Sequence, residues 1–457
     1  MIKRIDGKVK NLKGTVVTPP DKSISHRALM LASIAKGEST VENLLLAADT
    51  ISTLRAMELL GVKIEGYGKK KHVPNFGLFH QNYKVTGKGL YGLTEPATFI
   101  DCGNSGTTTR LLCGLLAGNA FFSVLSGDES LNSRPMKRVI KPLALMGAEI
   151  MARASDSYPP IAIRGGKLRG IEYDMPVASA QVKSALMLAA LYAEGETAII
   201  EPSPSRDHSE RMLRSMGAAV TEEKGAGRAH VIRIKKPANE LIPFEIKIPG
   251  DFSSAAFFIV GALITQNSDV LIKNVCLNPT RTGLLSTLKE MGAMIGIRNQ
   301  RTVSGEPVGD LHIEGKQDLR AVHVSESSIP LMIDEIPILC IAAACARGRS
   351  EIRGAKELRV KESDRIKAMA QGLSAMGIRV EEFEDGLAIT GGAMKGARID
   401  PFGDHRIAMS FAMAGLAADG DTEIENGEES VKISYPDFFS TLGRLRRPDR
   451  GHVLKNG

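Results

Sequence analysis

Six segments of this chain set cations, hydroxyls and acids directly ahead of long apolar runs. The first is Asp21-Lys22-Ser23-Ile24-Ser25-His26-Arg27, and the second runs Asp101-Cys102-Gly103-Asn104-Ser105-Gly106 to Arg110. Ser179-Ala180-Gln181, Asp251-Phe252-Ser253-Ser254, Asp334-Glu335 and Gly403-Asp404-His405-Arg406 open the other four. A helix start presents unpaired N–H groups and a partial positive charge. With Lys or Arg added, it becomes a site for phosphate or carboxylate. Ser25, Asp251, Ser253 and Ser254 also suit plain N-caps and are read so. Lys22 and Arg27 are not, because a cation at a helix N-terminus opposes the dipole. Gly103 and Gly106 flank an Asn-Ser pair, as where backbone must come close to a ligand. Arg359-Val360-Lys361-Glu362-Ser363-Asp364-Arg365 alternates in sign before another apolar helix, which fits a solvated helix start as well as a site. Ser133-Arg134-Pro135-Met136 puts an arginine before a helix-opening proline and by itself reads as surface. His26 is equally a buried imidazole or a ligand contact. There is no Walker A motif, no dinucleotide fingerprint, no nucleophile elbow and no His/Cys spacing suited to a metal.

The elements that must hold these residues repeat along the chain. The pattern Leu-x-x-Met/Leu-Gly-x-x-Val/Ile recurs at Gly61, Gly147, Gly217, Gly292 and Gly377, with a degenerate copy at Gly443. Each copy predicts a helix stopped by glycine and followed by a strand. Interleaved are the six apolar runs, each ending in a turn and a strand; helices apolar nearly all round are buried. Six such units predict a two-domain α/β chain with three units per domain. Glu240–Gly250, with Pro243 and Pro249, reads as the crossover, and the opening strand Ile2–Val17 as a partner of the later domain.

Composition agrees. At 457 residues, 43% hydrophobic and 24% charged, the chain suits two or three globular domains and excludes a disordered one. With no Trp and 5% aromatics, the core is built from aliphatic residues, Ala and Met, and base-stacking platforms are scarce. The net charge of +7 favours acidic ligands. Its dense run, Lys69–Lys71, reads as a solvated hairpin, so small anions are favoured over nucleic acid. Ala255–Ile264 and Ile336–Ala346 are too short to span a membrane, and the N-terminus has no signal-peptide pattern. The five Cys, with no C-x-x-C pair, read as reduced thiols of a cytosolic protein.

Seven ordered motifs carry a family resemblance: D-K-S-I-S-H-R-A-L, G-N-S-G-T-T-T-R-L-L, G-D-E-S-L-N-S-R-P-M, V-A-S-A-Q-V-K-S-A-L, I-D-E-I-P, V-K-E-S-D-R and F-G-D-H-R-I-A-M. From about Val16 to Phe439 the chain resembles the 3-phosphoshikimate 1-carboxyvinyltransferases, or EPSP synthases. The resemblance implies a two-domain enolpyruvyl transferase fold, each domain of three βαβαββ-type repeats with buried helices, and the active site in the interdomain cleft. One domain would join residues 1–20 to 248–457, the other would hold 21–247, and the hinge would lie near Asp21 and Pro243–Pro249. The implied reaction moves the enolpyruvyl group of phosphoenolpyruvate to the 5-hydroxyl of shikimate 3-phosphate, on the way to aromatic amino acids. It needs no cofactor and no metal. It implies a cytoplasmic monomer whose partners are those two small molecules.

Carried over motif by motif, Lys22, Ser23, Arg27, Ser179, Gln181, Arg206, Asp334 and Lys361 hold shikimate 3-phosphate. Lys22, Gly106, Arg134, Gln181, Arg365 and Arg406 line the phosphoenolpyruvate site, where the inhibitor glyphosate binds in this family. Asp334 resembles the base on the 5-hydroxyl. Lys361 and Glu362 resemble the proton-handling pair, and Lys22 joins the catalytic set. The chain departs from part of the family at Ala180 and Leu111, and at Lys432, one position from the usual lysine, whose role stays open. Two other readings are weighed. A UDP-N-acetylglucosamine enolpyruvyl transferase expects Lys-Asn where Lys22-Ser23 stands and a reactive loop Cys, whereas Cys102 and Cys113 lie in or beside the second helix. A nucleic-acid-binding or RNA-end-processing protein of related repeat needs a clustered basic face and a nucleotide-linking His.

Overall fold

Glycines set the rhythm of the chain. A computed structural model describes residues 2–73, 77–225, 230–315, 317–432 and 434–446. In it Gly61, Gly147, Gly217, Gly292 and Gly377 have φ of +84°, +100°, +87°, +94° and +81°. Glycine adopts that conformation without strain, so each helix stops and turns into a strand. The helices are Ala48–Leu59, Lys137–Leu145, His208–Ser215, Gly283–Glu290 and Arg365–Ala375. The degenerate copy fails as a stop: Gly443 lies inside the helix Phe438–Arg446, where Leu442 and Leu445 face the core.

The helices used below are α1 (Lys22–Ile34), α2 (Ala48–Leu59), α3 (Gly106–Ala117), α4 (Ala180–Ala190), α5 (His208–Ser215), α6 (Phe252–Ile264), α7 (Ile336–Cys345), α8 (Arg365–Ala375) and α9 (His405–Ala417). The apolar runs became α1, α3, α4, α6, α7 and α9, and every residue of α6 is buried. Each is followed by a strand: Lys36–Glu42, Phe122–Ser126, Glu196–Glu201, Asp269–Cys276, Arg349–Ile352 and Thr422–Glu425. Among the described residues the strands form six small sheets, five of four strands and one of three. Lys36–Glu42 shows the plan. It lies antiparallel to Gly77–Lys88, which forms a hairpin with Lys63–Val73, and parallel to Glu245–Lys247. The stretch read as a crossover thus supplies an edge strand. Lys69–Lys71 lies exposed on its hairpin, as expected of a solvated one.

The chain divides into two compact units. The middle unit comprises Pro20–Pro249 and Thr302–Glu306. Its helices α3 and α4 meet backbone to backbone: a Cβ on Gly114 would sit 2.0 Å from the Ala185 carbonyl oxygen. The short segment Thr302–Glu306, which the sequence reading leaves with the other domain, joins this unit for a physical reason. Arg211 donates to the Gly305 carbonyl at 3.2 Å, and buried Glu306 meets His208 Nδ1 at 2.8 Å.

The second unit holds the chain up to Pro19, Gly250–Arg301, and from Pro307 on. The opening strand is two strands. Ile2–Ile5 runs antiparallel to Thr422–Glu425, and Lys13–Val17 runs parallel to Asp269–Cys276. Phe257, Phe258, Tyr435 and Phe438 pack ring against ring in the core of this unit, mostly edge to face. No described helix is long and apolar enough to cross a membrane.

Gly114→Ala places a methyl against a carbonyl that cannot move without parting two buried helices. Overpacking of this kind costs about 1–3 kcal/mol or more, so the urea unfolding midpoint of the variant is expected to fall clearly. Gly166→Ala, whose Cβ meets nothing within 4 Å, is the control and should leave the midpoint in place.

Candidate active site

In the middle unit, three buried helices begin with the residues singled out above. Asp21 caps α1 by accepting from the Ile24 amide at 2.9 Å. The capping role assigned to Ser25 is therefore wrong; its hydroxyl donates to the Asp21 carbonyl at 2.8 Å. Lys22 opens α1 against the dipole and is held by Asp49, at the start of α2, at 3.1 Å. One turn on, Arg27 is 3% exposed, with Ser209, Ser184 and the Ser23 carbonyl around its guanidinium. Burial lowers its pKa to about 10; Glu210 opposes that shift and Arg206 adds to it. Arg206 therefore lies within electrostatic reach of Arg27, as a shared anion would require.

Ser105 caps α3, whose first residue is Gly106. Around Gly106 stand two arginines: a Cβ there would lie 2.8 Å from Arg110 Nη1 and 3.4 Å from Arg134 Nη1. Arg110 donates to Gln181 Oε1 at 2.7 Å, and Gln181 donates to Thr107 Oγ1 at 2.9 Å. Arg134 reaches Asn104 Oδ1 at 2.5 Å. Pro135 precedes its helix rather than opening it, and its carbonyl accepts from Arg110 at 3.3 Å. Arg134 is thus part of a cluster and not a bare surface residue. Gly106, Arg134 and Gln181 come together. Ser179 stands at the start of α4 and makes no cap bond.

Beneath them lies a dry charge network. Lys183, one turn along α4, is fully buried and pairs with Glu210 at 2.7 Å and Glu201 at 2.9 Å. His230 lies 3.4 Å from Glu201 and 3.1 Å from Glu222; hydrogen bonds from these two carboxylates raise its pKa to about 9. His26 proves to be a buried imidazole, with Nδ1 2.7 Å from Thr53 Oγ1. Burial pushes its pKa down to about 3, so it is neutral at pH 7. Thr53 continues at 2.7 Å to Thr108, which touches Ser105 at 2.7 Å; this chain of hydroxyls ties α1 and α2 to the start of α3.

The second unit gathers the remaining predicted residues around Arg365. This arginine opens α8, is 1% exposed, and is gripped by Asp404 at 2.8 Å, Glu362 at 2.6 Å and Asp334 at 3.3 Å. Burial opposes its charge, but the three carboxylates outweigh burial and hold the guanidinium above its ordinary range. Arg406, near the start of α9, lies 3.6 Å from Asp334 Oδ1 and donates to the Asp334 carbonyl at 3.3 Å. Asp404 caps α9. Asp251 caps α6 through the Ser254 amide, so Ser253 and Ser254, also read as caps, lie inside the helix, and Ser253 donates instead to Glu335. Lys361 and Glu362, neighbours in sequence, face different partners: Lys361 meets Glu357 at 3.3 Å. Lys432 pairs with Glu429 on the surface at 2.6 Å.

The sequence reading missed Asp49 and Arg110 as members of these clusters. Arg110 had a signal, since it lies one helical turn after Gly106 in the quoted T-T-T-R string. Asp49 had none beyond standing in the first turn of α2. Cys102, Cys113, Cys276 and Cys340 are buried. Burial raises the thiols of Cys102 and Cys340 to about 12, and no described Cys is the exposed reactive thiol of the alternative transferase reading. Among the described residues no group of three or more His, Cys, Asp or Glu could hold a metal ion.

This arrangement, small mixed sheets around buried helices with charged starts, is that of an enolpyruvyl transferase. The structure of the enolpyruvyl transferase NikO from Streptomyces tendae matches it with a TM-score of 0.73 over 97% of each chain, at 18% identity, which establishes the fold alone. The model of the family EPSP synthase (3-phosphoshikimate 1-carboxyvinyltransferase) matches residues 7–442. The 3-phosphoshikimate 1-carboxyvinyltransferase of Thermodesulfovibrio yellowstonii is 50% identical, over 97% of this chain and 100% of its own. The EPSP synthase structure from Acinetobacter baumannii has a TM-score of 0.84 at 45% identity, covering 97% of this chain and 98% of its own. The chain belongs to the EPSP synthase family.

The His230 pairs make a pH test of the middle unit. A pKa raised from 6.5 to about 9 on folding contributes stability that is fully present below pH 6.5 and is lost as pH rises through about 9. The urea midpoint of the protein should fall over that interval, and His230→Gln should flatten the fall. An unchanged slope in the variant would remove His230 from this role.

Proposed function

We propose that the chain transfers the enolpyruvyl group of phosphoenolpyruvate to the 5-hydroxyl of shikimate 3-phosphate, releasing phosphate. The observation that carries this reading is the cluster of Asp334, Glu362 and Asp404 with Arg365 and Arg406 in one unit. It sets acids able to move protons against cations able to hold a charged substrate. Lys22, Ser23, Arg27, Ser179, Gln181 and Arg206 would bind shikimate 3-phosphate, with Asp334 and Lys361. Lys22, Gly106, Arg134, Gln181, Arg365 and Arg406 would bind phosphoenolpyruvate. Arg110, beside Gly106, joins that set. Each substrate carries a carboxylate and a phosphate, so the reading requires several fixed cations.

The steps follow from the residue types. Asp334 accepts the proton of the 5-hydroxyl as its oxygen bonds to C2 of phosphoenolpyruvate. Glu362 or Lys361 delivers a proton to C3, giving a tetrahedral intermediate. Loss of phosphate from C2 and of a proton from C3 then restores the double bond on the new ether. The chain's crossings at Pro19–Pro20 and Pro249–Gly250 support a hinge near Asp21 and Pro243–Pro249, with residues 1–20 and 248–457 (Thr302–Glu306 apart) as one domain and 21–247 as the other. The deciding assay is phosphate release that requires both substrates; release with phosphoenolpyruvate alone, or none with both, would overturn the reading.

Asp334→Asn keeps the shape and removes the basic site. It is expected to lower kcat by about 10²- to 10⁴-fold, with far smaller changes in substrate affinity. Steady-state kinetics on the folded variant check this, and near-normal turnover would remove Asp334 from the role.

Gly106→Ala tests the phosphoenolpyruvate site. The methyl presses on Arg110 Nη1 and Arg134 Nη1, the ends of flexible side chains, so the cost falls on ligand fit more than on stability. Glyphosate is longer than phosphoenolpyruvate and should feel the change first. One methyl of misfit costs about 1–3 kcal/mol, so its inhibition constant should rise roughly 5- to 150-fold, more than the KM for phosphoenolpyruvate. An equal rise in both constants would count against this placement.

A further inference from the structure

Arg27 and Arg365 are both buried arginines near helix starts, yet they are gripped by opposite kinds of partner. Arg365 is held by three carboxylates. Arg27 is held by neutral oxygens only: Nε donates to Ser209 Oγ at 2.7 Å, Nη2 to Ser184 Oγ at 2.6 Å and Nη1 to the Ser23 carbonyl at 3.0 Å. The two hydroxyls lie 2.8 Å apart, so they and the guanidinium edge close a ring. Ser184 on α4 and Ser209 on α5 are 1% and 4% exposed, which leaves neither side chain room to swing away. Three of the five N–H donors of Arg27 are used in this way. The two left are one on Nη1 and one on Nη2; the Nη1–Nη2 end of a guanidinium is the fork that donates to both oxygens of a carboxylate or phosphate.

The charge on that fork is not cancelled by contact. Glu210 follows Ser209 and favours the Arg27 charge from a distance, but its carboxylate is taken by Lys183 at 2.7 Å. An acid in place of either serine would lie at hydrogen-bond distance and neutralise the guanidinium, as the acids around Arg365 do. A hydroxyl fixes the plane of the group and leaves its charge available to a ligand.

We propose that Ser184 and Ser209 are positioning residues for substrate binding: they hold Arg27 with neutral acceptors, so that its free Nη fork keeps its full charge for the anionic group of shikimate 3-phosphate. The proposal rests on Arg27 contacting that substrate, and the experiment separates the two claims. Shikimate 3-phosphate binding is measured by calorimetry for Arg27→Ala, Ser209→Ala, Ser209→Thr and Ser209→Asp. Losing one hydrogen bond is worth about 2- to 12-fold in affinity, so Ser209→Ala should weaken binding by that factor. Ser209→Thr, which keeps the hydroxyl, should restore it to near the wild-type value. Ser209→Asp should be weaker than Ser209→Ala by about tenfold or more, while its thermal midpoint is no lower, since the new carboxylate pairs with Arg27. A merely structural role predicts no such opposition between affinity and stability. If Ser209→Asp binds as well as Ser209→Ala, the proposal is overturned. If Arg27→Ala binds normally, the placement of Arg27 on the substrate fails instead. Should Ser209→Asp not fold, Ser184→Ala and Ser184→Asp decide by the same ordering.

Discussion

A cation at the start of a helix is held there against the field of the helix. Lys22, Arg365 and Arg406 all stand in the first turn of α1, α8 or α9, so each needs something to keep it in place. The chain meets the need twice over. A capping acid takes up the free amides, as Asp21, Asp364 and Asp404 do. A second acid then holds the cation itself: Asp49 holds Lys22, and Asp334 lies against both Arg365 and Arg406. The arrangement costs stability locally and leaves cations that an anionic ligand can share.

What differs from one cation to the next is the identity of the partner. Around Arg365 the partners are carboxylates, including those expected to move protons, so binding charge and acid–base chemistry occupy one cluster. Around Arg27 they are hydroxyls and a backbone carbonyl. Below Arg27 the buried Lys183 consumes the charge of Glu201 and Glu210. A buried pair of this kind is poor evidence of net stabilisation, but removing one partner leaves an uncompensated charge. Its consequence for the site is that the nearby acids are already engaged.

The six buried helices explain the composition. Helices surrounded on all sides are built here mainly from Ala, Gly and aliphatic side chains, with rings at Phe252, Phe257 and Phe258 in α6 and Phe411 in α9, and α3 and α4 touch backbone to backbone at Gly114. In the second unit Phe257, Phe258, Tyr435 and Phe438 form one aromatic cluster. Lys22 and Arg406 put cations in the first turn of buried helices, one in each unit.

The glycine stops were legible in the sequence because a positive φ is a local demand that one residue type meets; Gly61, Gly147, Gly217, Gly292 and Gly377 all show it. The buried helices were legible because burial on every side leaves no polar face in the string. The motifs around Lys22, Gly106, Lys361 and Arg406 marked the charged starts and the family. Pairing across long separations was beyond the string. Asp49 lies 27 residues from Lys22, and Ser209 lies 182 from Arg27; nothing at those positions marks them except the fold that brings them there. Capping was misplaced at Ser25 and Ser253 for a related reason. Several hydroxyls and acids in each start could satisfy the same amides, and packing chose among them by giving the serines other partners, the Asp21 carbonyl and Glu335. The opening strand was read as one although Asp6-Gly7 interrupts it; its two halves pair in two different sheets. Local conformation is written residue by residue, but which acid meets which cation is decided by distances that exist only once the helices are packed.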